Sequence, residues 1–418
     1  MAPLATPLHG WHVLHKARMA AFGGFEMPLW YGSAKDEHRA VLTRAGVFDT
    51  SHMAALLVSG SGAFDLLQFC FTNDLSACLG PRKAPLKPGR AVYGAFLNAE
   101  GHVIDDAIVF MLAGDTFLVV LNAGMGHAVV THLGRHAEDF PAQLSDLSGR
   151  FGKLDVQGPL AAKIMRKVLA DPYAVFETMP YFAFKGGFGE KMPILEPVMT
   201  RDGIPLLLSR TGYTGELGFE VFSARPTIAA VWEAVMAAGA EYGLTACGLA
   251  ARDSLRAGAG LPLSHQDIGA WPFCRHPWPF ALPYNAQGEG FRKTFLGHDA
   301  LRPCSAPYTY PFIGSDPRKV SLPARVLNDT GRVIGDVLTC VSDMGIGWHD
   351  EHVFSIGSPD APQGFKGGGL CCGFLRVSDA LPPGTPLTLR DHRRRVGVRI
   401  VKEIRPDRTA RRAIHTML

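Results

Sequence analysis

Hydrophobic and polar positions along this chain alternate between two periods. Apolar residues fall at helical spacing from Ala34 to Arg44, with Val41 and Leu42 on the inner side and Gly46 as a stop, which predicts a helix. A second apolar stretch, Gly62 to Phe71, begins after the turn-like Ser59-Gly60-Ser61. Strand patterning then takes over. Ala91 to Leu97 reads as a strand closed by an Asn98-Ala99-Glu100-Gly101 turn, and His102 to Leu112 as its antiparallel partner. Ala113-Gly114-Asp115 turns the chain into Thr116 to Leu121, and a helix follows from about Gly126 to Ala137. Lys153 to Gln157 and Ile204 to Ser209 read as further strands. Pro226 to Tyr242 reads as an amphipathic helix, with Ile228, Val231, Trp232, Val235 and Met236 on one side and Pro226 suited to its first turn.

From Pro262 to Pro317 the composition shifts to proline, aromatic residues and glycine, which predicts a connection with little regular structure. Beyond Lys319, short β-rich runs between Gly/Pro turns predict a small barrel, interrupted by an insertion at Gly357 to Gly369. Helices mixed with antiparallel strands, followed by a β-rich end, give an α+β class.

Composition narrows the function classes. With 418 residues, of which 47% are hydrophobic and 19% charged, the chain can form several units with substantial cores. No apolar run approaches the ~20 residues of a membrane span, and the N-terminus lacks the pattern of a secretory signal. The expectation is a soluble cytoplasmic protein with no membrane association. A formal charge of +4 is small for a general nucleic-acid binder. Basic residues nonetheless gather at Arg390 to Arg395 and Arg405 to Arg412, either as a solvated face or as a patch attracting an anionic ligand or carrier protein. Eight cysteines are too few for a disulfide framework in a chain this long, and none forms a C-x-x-C pair, so no metal is expected. Adjacent Cys371 and Cys372 invite a redox reading, but neighbours on a strand point to opposite faces and buried free thiols are common.

Three segments carry candidate chemistry. In Gly101 to Phe110, Asp105 and Asp106 sit mid-strand among β-branched residues, where charge is ordinarily excluded. Alternation predicts that they face opposite ways, with Asp106 beside Ile104, Ile108 and Phe110, where a carboxyl would have a raised pKa; pairing with backbone or an arginine is the plainer alternative. Ser209 to Glu220 places three glycines within seven residues, allowing close approach of a ligand, beside Arg210, Tyr213, Glu216 and Glu220. In Gly248 to Arg256, a helix would put Arg252 and Arg256 on one face, as a fork for a planar partner or as a salt bridge. His9, His12 and His15 lack a fourth metal ligand, and Gly367-Gly368-Gly369 lacks the residues of a phosphate loop.

Together with Phe22 to Tyr31, Glu37-His38, Ala45 to Met53 and Gln157-Gly158-Pro159, these segments resemble the glycine cleavage system T-protein (aminomethyltransferase) family, in order from the N-terminus to about Asp267. The resemblance implies a three-domain cloverleaf around a central folate channel. Residues 1–56 and 148–266 would form a split first domain, 57–147 the second with the acidic strand, and 285–418 a C-terminal β-barrel. It implies tetrahydrofolate as acceptor of a one-carbon unit, with Asp106 at the reacting centre. Tyr93, Met53 and Asn122 would line the channel, and Tyr213, Glu220 and Arg252 would grip the pterin. Arg408, in a tail that matches the family loosely, would add to the site. The implied donor is an aminomethyl group on a lipoyl carrier (H-protein), with ammonia released.

The sequence also departs from the family pattern. Gly258 stands where a Glu is expected and Ser264-His265 where Tyr-Gly is usual; the Trp271 to Tyr284 stretch and the Gly357 to Gly369 insertion are unlike the family. These departures fall where a donor would approach. They raise a demethylase of a small N-, S- or O-methyl compound as an alternative. A noncatalytic folate-binding protein is a third reading, which the intact acidic strand disfavours.

Overall fold

The computed structural model describes residues 2–189, 192–302 and 304–418. Its first sheet has seven strands, in the order Phe184–Gly186, Pro205–Ser209, Gly218–Ala224, Phe151–Gln157, Gly46–Asp49 and Thr245–Ala246, with Val198–Met199 added beside Pro205–Ser209. Helices Ala161–Val168 and Ile228–Gly239 bury one face of it, with Trp232 and Phe219 fully enclosed. The predicted Pro226 to Tyr242 helix is α-helical only over Ile228–Gly239, with single 3-10 turns at either end. The Ala34–Thr43 helix starts where Ser33 accepts a hydrogen bond from the Asp36 amide, with Asp36 and Glu37 in its positive first turn. It packs against helix Leu249–Gly258 through Val41, Leu42, Ala251 and Leu255.

The second sheet has the order Arg90–Leu97, Val103–Ala113, Thr116–Leu121, Ala54–Ser59 and Gln143–Asp146. Helices Ala63–Cys70 and Gly126–Gly134 cover one face. The second of these ends three residues short of the predicted Ala137. The other face meets the first sheet through Phe110, Phe151, Leu207 and Phe222. The alternation in the meander breaks at two bulges, one at Leu112 and one beside Asp105. Phe96 pairs with Asp105 but Leu97 with Val103, so a bulge at Ile104 breaks the alternation. Ile104 consequently packs with Ala107 and Val109 under the helices, not beside Asp106 as predicted.

The C-terminal part is a closed six-stranded barrel, in the order Tyr308–Gly314, Leu370–Val377, Val333–Asp343, Arg325–Leu327, Pro386–Arg390 and Arg395–Ile400. Its first strand lies inside the stretch expected to lack regular structure. That strand contains Pro311, which has no N–H to donate, and it pairs with Arg395–Ile400 only from Phe312 onward. The rest of the connection has two 3-10 turns, at Pro279–Ala281 and Asp299–Leu301, and packs between the second sheet and the barrel through Trp278, Phe295 and Phe374. A Cys274–Cys304 disulfide, with Cα atoms 6.3 Å apart, staples this connection; the sequence had given no pairing. Residues 357–369 carry no regular element, between strands His352–Ser355 and Leu370–Val377. Among the described residues no helix is long and apolar enough to cross a membrane.

Candidate functional site

One cavity of about 1750 Å³ runs between the two sheets, the Leu249–Gly258 helix, the connection and the barrel. Met53, Tyr93, Asp106, Asn122, Tyr213, Glu220, Arg252 and Arg408 all line it. These residues come from both sheets, three loops, a helix and the tail, and folding alone brings them together.

The acid end comes from the second sheet. The Tyr93 hydroxyl donates to Oδ2 of Asp106 at 2.7 Å. The Thr116–Leu121 strand ends beside Asp105 and Asp106, so the next residue, Asn122, reaches both. Its Nδ2 donates to Oδ1 of Asp105 at 2.7 Å and to Oδ1 of Asp106 at 2.6 Å, while its backbone N–H donates to Oδ2 of Asp105 at 2.9 Å. Ser264 Oγ donates to Oδ1 of Asp105 at 3.3 Å, and Nε2 of half-exposed His265 stands 3.9 Å from the same oxygen. Asp105 and Asp106 keep successive places in the ladder, opposite Phe96 and Ala95, yet both carboxyls reach one amide because the neighbouring strand ends beside them. Burial raises the Asp106 carboxyl, against the hydrogen bonds of Tyr93, Asn122 and Ser264. Burial and then the Asp106 charge push Asp105 up to about 8. As a pair the two acids therefore keep one proton through neutral pH.

The opposite wall comes from the first sheet, where Glu220 pairs directly across from Asp155. Lys153, fully enclosed, donates to Asp155 at 2.6 Å, to Thr50 at 3.2 Å and to Glu220. Arg252 donates to the other Asp155 oxygen, and its guanidinium lies 5.0 Å from the Tyr213 ring centroid. Burial alone would raise Asp155, but the Lys153 and Arg252 charges override it and hold the carboxyl at about 2. Glu220 lines the cavity with both oxygens engaged, one by Lys153 and one by Thr211. The Tyr213 hydroxyl donates to the Pro262 carbonyl, and Arg408 donates to Glu403 at 2.6 Å and to the Ala259 carbonyl.

The predicted arginine fork does not form. Arg256 borders the cavity beside Arg252 but is enclosed and donates to Asp253 at 2.7 Å, to Thr339 of the barrel at 2.9 Å and to Asp267, so it ties helix to barrel. Lys153 and Asp155 were missed as site residues. Their signal was legible: polar Lys153, Asp155 and Gln157 alternate with apolar Leu154 and Val156 in a strand with no exposed face. His12, one of the three spaced histidines, is buried between Asp49 and the Tyr31 hydroxyl at 2.9 and 2.8 Å.

At Gly258 an added Cβ would overlap Oδ2 of Asp343. That carboxylate accepts from Arg405 at 2.7 Å and contacts His38 Nε2 at 2.9 Å, so a barrel carboxylate fills space beside the position where the family resemblance expects a Glu. Gly258→Glu should cost about 1–3 kcal/mol through overpacking and like charge. Thermal unfolding would show this as a lowered midpoint, with recovery when Asp343→Gly is added; an unchanged midpoint in the single variant would refute the assignment.

Residues 8–271 match the GCVT N-terminal domain family. The chain is 37% identical over 270 residues to an aminomethyltransferase of Geobacillus thermodenitrificans, covering 63% of this chain and 66% of that one. It is 39% identical over 267 residues to an aminomethyltransferase of Streptomyces avermitilis, covering 64% and 66%. The match thus spans about two thirds of the length of these curated relatives. Over nearly the whole chain the fold resembles the crystal structure of glycine cleavage system aminomethyltransferase T from Bartonella henselae, with a TM-score of 0.73, 26% identity and coverage of 95% and 96%. With that fold and the N-terminal match together, this chain belongs to the GCVT family.

Proposed function

We propose that this protein is a tetrahydrofolate-dependent one-carbon transferase, and within that class an aminomethyltransferase that releases ammonia. The observation that supports it is the convergence of Asp106, Tyr93 and Asn122 with Tyr213 and Arg252 on one cavity. The residues fit a folate. The space exceeds the ~300–1,000 Å³ of ordinary ligand pockets, and it joins aromatic walls to the Asp106 carboxyl and the Arg252 and Arg408 cations. Residues 1–56 with 148–266, 57–147 and 285–418 are proposed as its three units. A separate sheet or barrel supports each, although the second sheet's first strand begins at Ala54.

When bound, tetrahydrofolate supplies an amine nucleophile, so the protein needs neither a metal nor a covalent intermediate of its own. The chain's part is positioning and charge. Tyr93 and Asn122 hold the Asp106 carboxyl fixed, and its negative charge stabilises positive charge developing at the donor carbon. The proton shared with Asp105 can pass to the departing nitrogen. Arg252, locked by Asp155 and stacked on Tyr213, offers a planar edge to the acceptor's ring system. In balance, an aminomethyl thioether and tetrahydrofolate give a thiol, ammonia and methylenetetrahydrofolate.

Calorimetric titration with tetrahydrofolate tests the reading. Arg252→Met should weaken binding by roughly tenfold or more, the loss of a charged, stacked contact. No binding to the parent protein would end the proposal. A donor screen then separates an aminomethyl-lipoyl carrier from free methylated compounds. The second reading, demethylation of a small methylated donor, is favoured by one observation: Pro277 and Phe280 of the connection crowd the cavity beside Tyr93.

A further inference from the structure

Phe280 is a large apolar side chain that stays 53% exposed while its backbone is firmly held. Asn73 Nδ2 donates to its carbonyl at 2.9 Å, Thr72 Oγ1 to the next carbonyl at 2.7 Å, and the Trp278 indole to the Gly260 carbonyl at 2.9 Å. The ring is thus presented by a fixed support. It lines the cavity with its centroid 5.7 Å from that of Tyr93, the planes inclined at 55°. Two rings at this angle form a corner. The Tyr93 hydroxyl, hydrogen-bonded to Asp106, fixes that corner beside the paired acids.

Two other aromatic rings lining the cavity have a guanidinium over them: Arg252 stands 5.0 Å from Tyr213 and Arg411 5.2 Å from Tyr181. Among the described residues no lysine or arginine stands over Tyr93 or Phe280. The nearby cations are already neutralised, Arg252 by Asp155 and Arg256 by Asp253 and Asp267. What remains at this corner is the charge of the acid pair, with no lysine or arginine paired to it among the described residues and only half-exposed His265 near it, 3.9 Å from Asp105, next to two electron-rich faces.

We propose that the Tyr93–Phe280 corner beside Asp106 binds a compact alkylammonium group. Cation–π attraction to two faces and Coulomb attraction to one carboxylate act on the same small volume, which favours a charged nitrogen over an uncharged group of equal shape. Taking this cation to be the nitrogen end of the carbon donor rests on the function proposed above. The corner itself does not depend on it.

Choline and its uncharged carbon isostere, dimethylbutanol, provide the test, by calorimetry on the full chain without folate. Choline should bind in the millimolar range, the isostere at least about tenfold more weakly, and Phe280→Leu should weaken choline by about fivefold or more while Phe280→Tyr retains it. Equal binding of the two compounds, or choline binding unchanged in Phe280→Leu, overturns the proposal. So does the absence of choline binding to a protein whose circular dichroism shows it folded. Tetrahydrofolate titrated into the same samples is scored separately: choline binding without folate binding would sink the transferase reading and leave the cation site standing.

Discussion

Asp106→Asn should lower turnover about a thousandfold, in the range seen when a positioned acid or charge stabiliser is removed, with tetrahydrofolate binding changed far less. The substitution keeps the shape and an acceptor for the Tyr93 hydroxyl, so the strand should fold around it. It removes the charge that faces the departing amine and the partner with which Asp105 shares a proton. Single-turnover measurement beside equilibrium folate binding separates the two effects. A variant as active as the parent would take Asp106 out of the chemistry, and one that fails to bind folate would make it a binding residue. The pH profile carries the same argument. Burial and the Asp106 charge raise Asp105 to about 8, so the pair keeps its proton below that pH and loses it above. Turnover that depends on this proton should fall as pH rises through about 8, and Asp105→Asn should abolish that limb.

Much of this site was legible along the chain, and what was not has specific physical causes. The Thr116–Leu121 strand has the bounds its pattern predicted, because alternation, flanking turns and β-branched content all agree there. Asp106 stood out for the reason it matters: a carboxylate mid-strand needs partners that local sequence does not supply. That its carboxyl meets that of Asp105 at Asn122 was not legible, because it depends on where the neighbouring strand ends. The barrel's first strand was hidden by Pro311 within a proline-rich stretch. The Cys274–Cys304 pair was hidden because its two halves meet only when the connection folds between sheet and barrel. Gly258 and Ser264 could be recognised only as departures. Their meaning lies in Asp343 and Asp105, eighty-five and a hundred and fifty-nine positions away.

The largest stability effect is expected at a residue the sequence reading passed over. Asp155→Ala should destabilise the fold by about 3–5 kcal/mol, because it strips the shared counter-charge from two enclosed cations. Lys153 would retain Glu220, but Arg252 has no other carboxylate within salt-bridge distance among the described residues. The sign of the pH dependence follows from the direction of the shift. Asp155 titrates at about 2 in the fold and near about 3.9 when unfolded, so the unfolded state takes up the proton first as pH falls. Its contribution, about 2–3 kcal/mol on this shift, is present in full above the unfolded value and fades as pH drops toward 2. Denaturant unfolding of the parent and of Asp155→Asn should therefore show a gap at neutral pH that narrows progressively in acid. A gap constant from pH 7 to 3 would mean that the loss comes from packing alone. In that case the Lys153–Asp155–Arg252 chain would not be the charged brace that holds Arg252 against Tyr213 at the edge of the cavity.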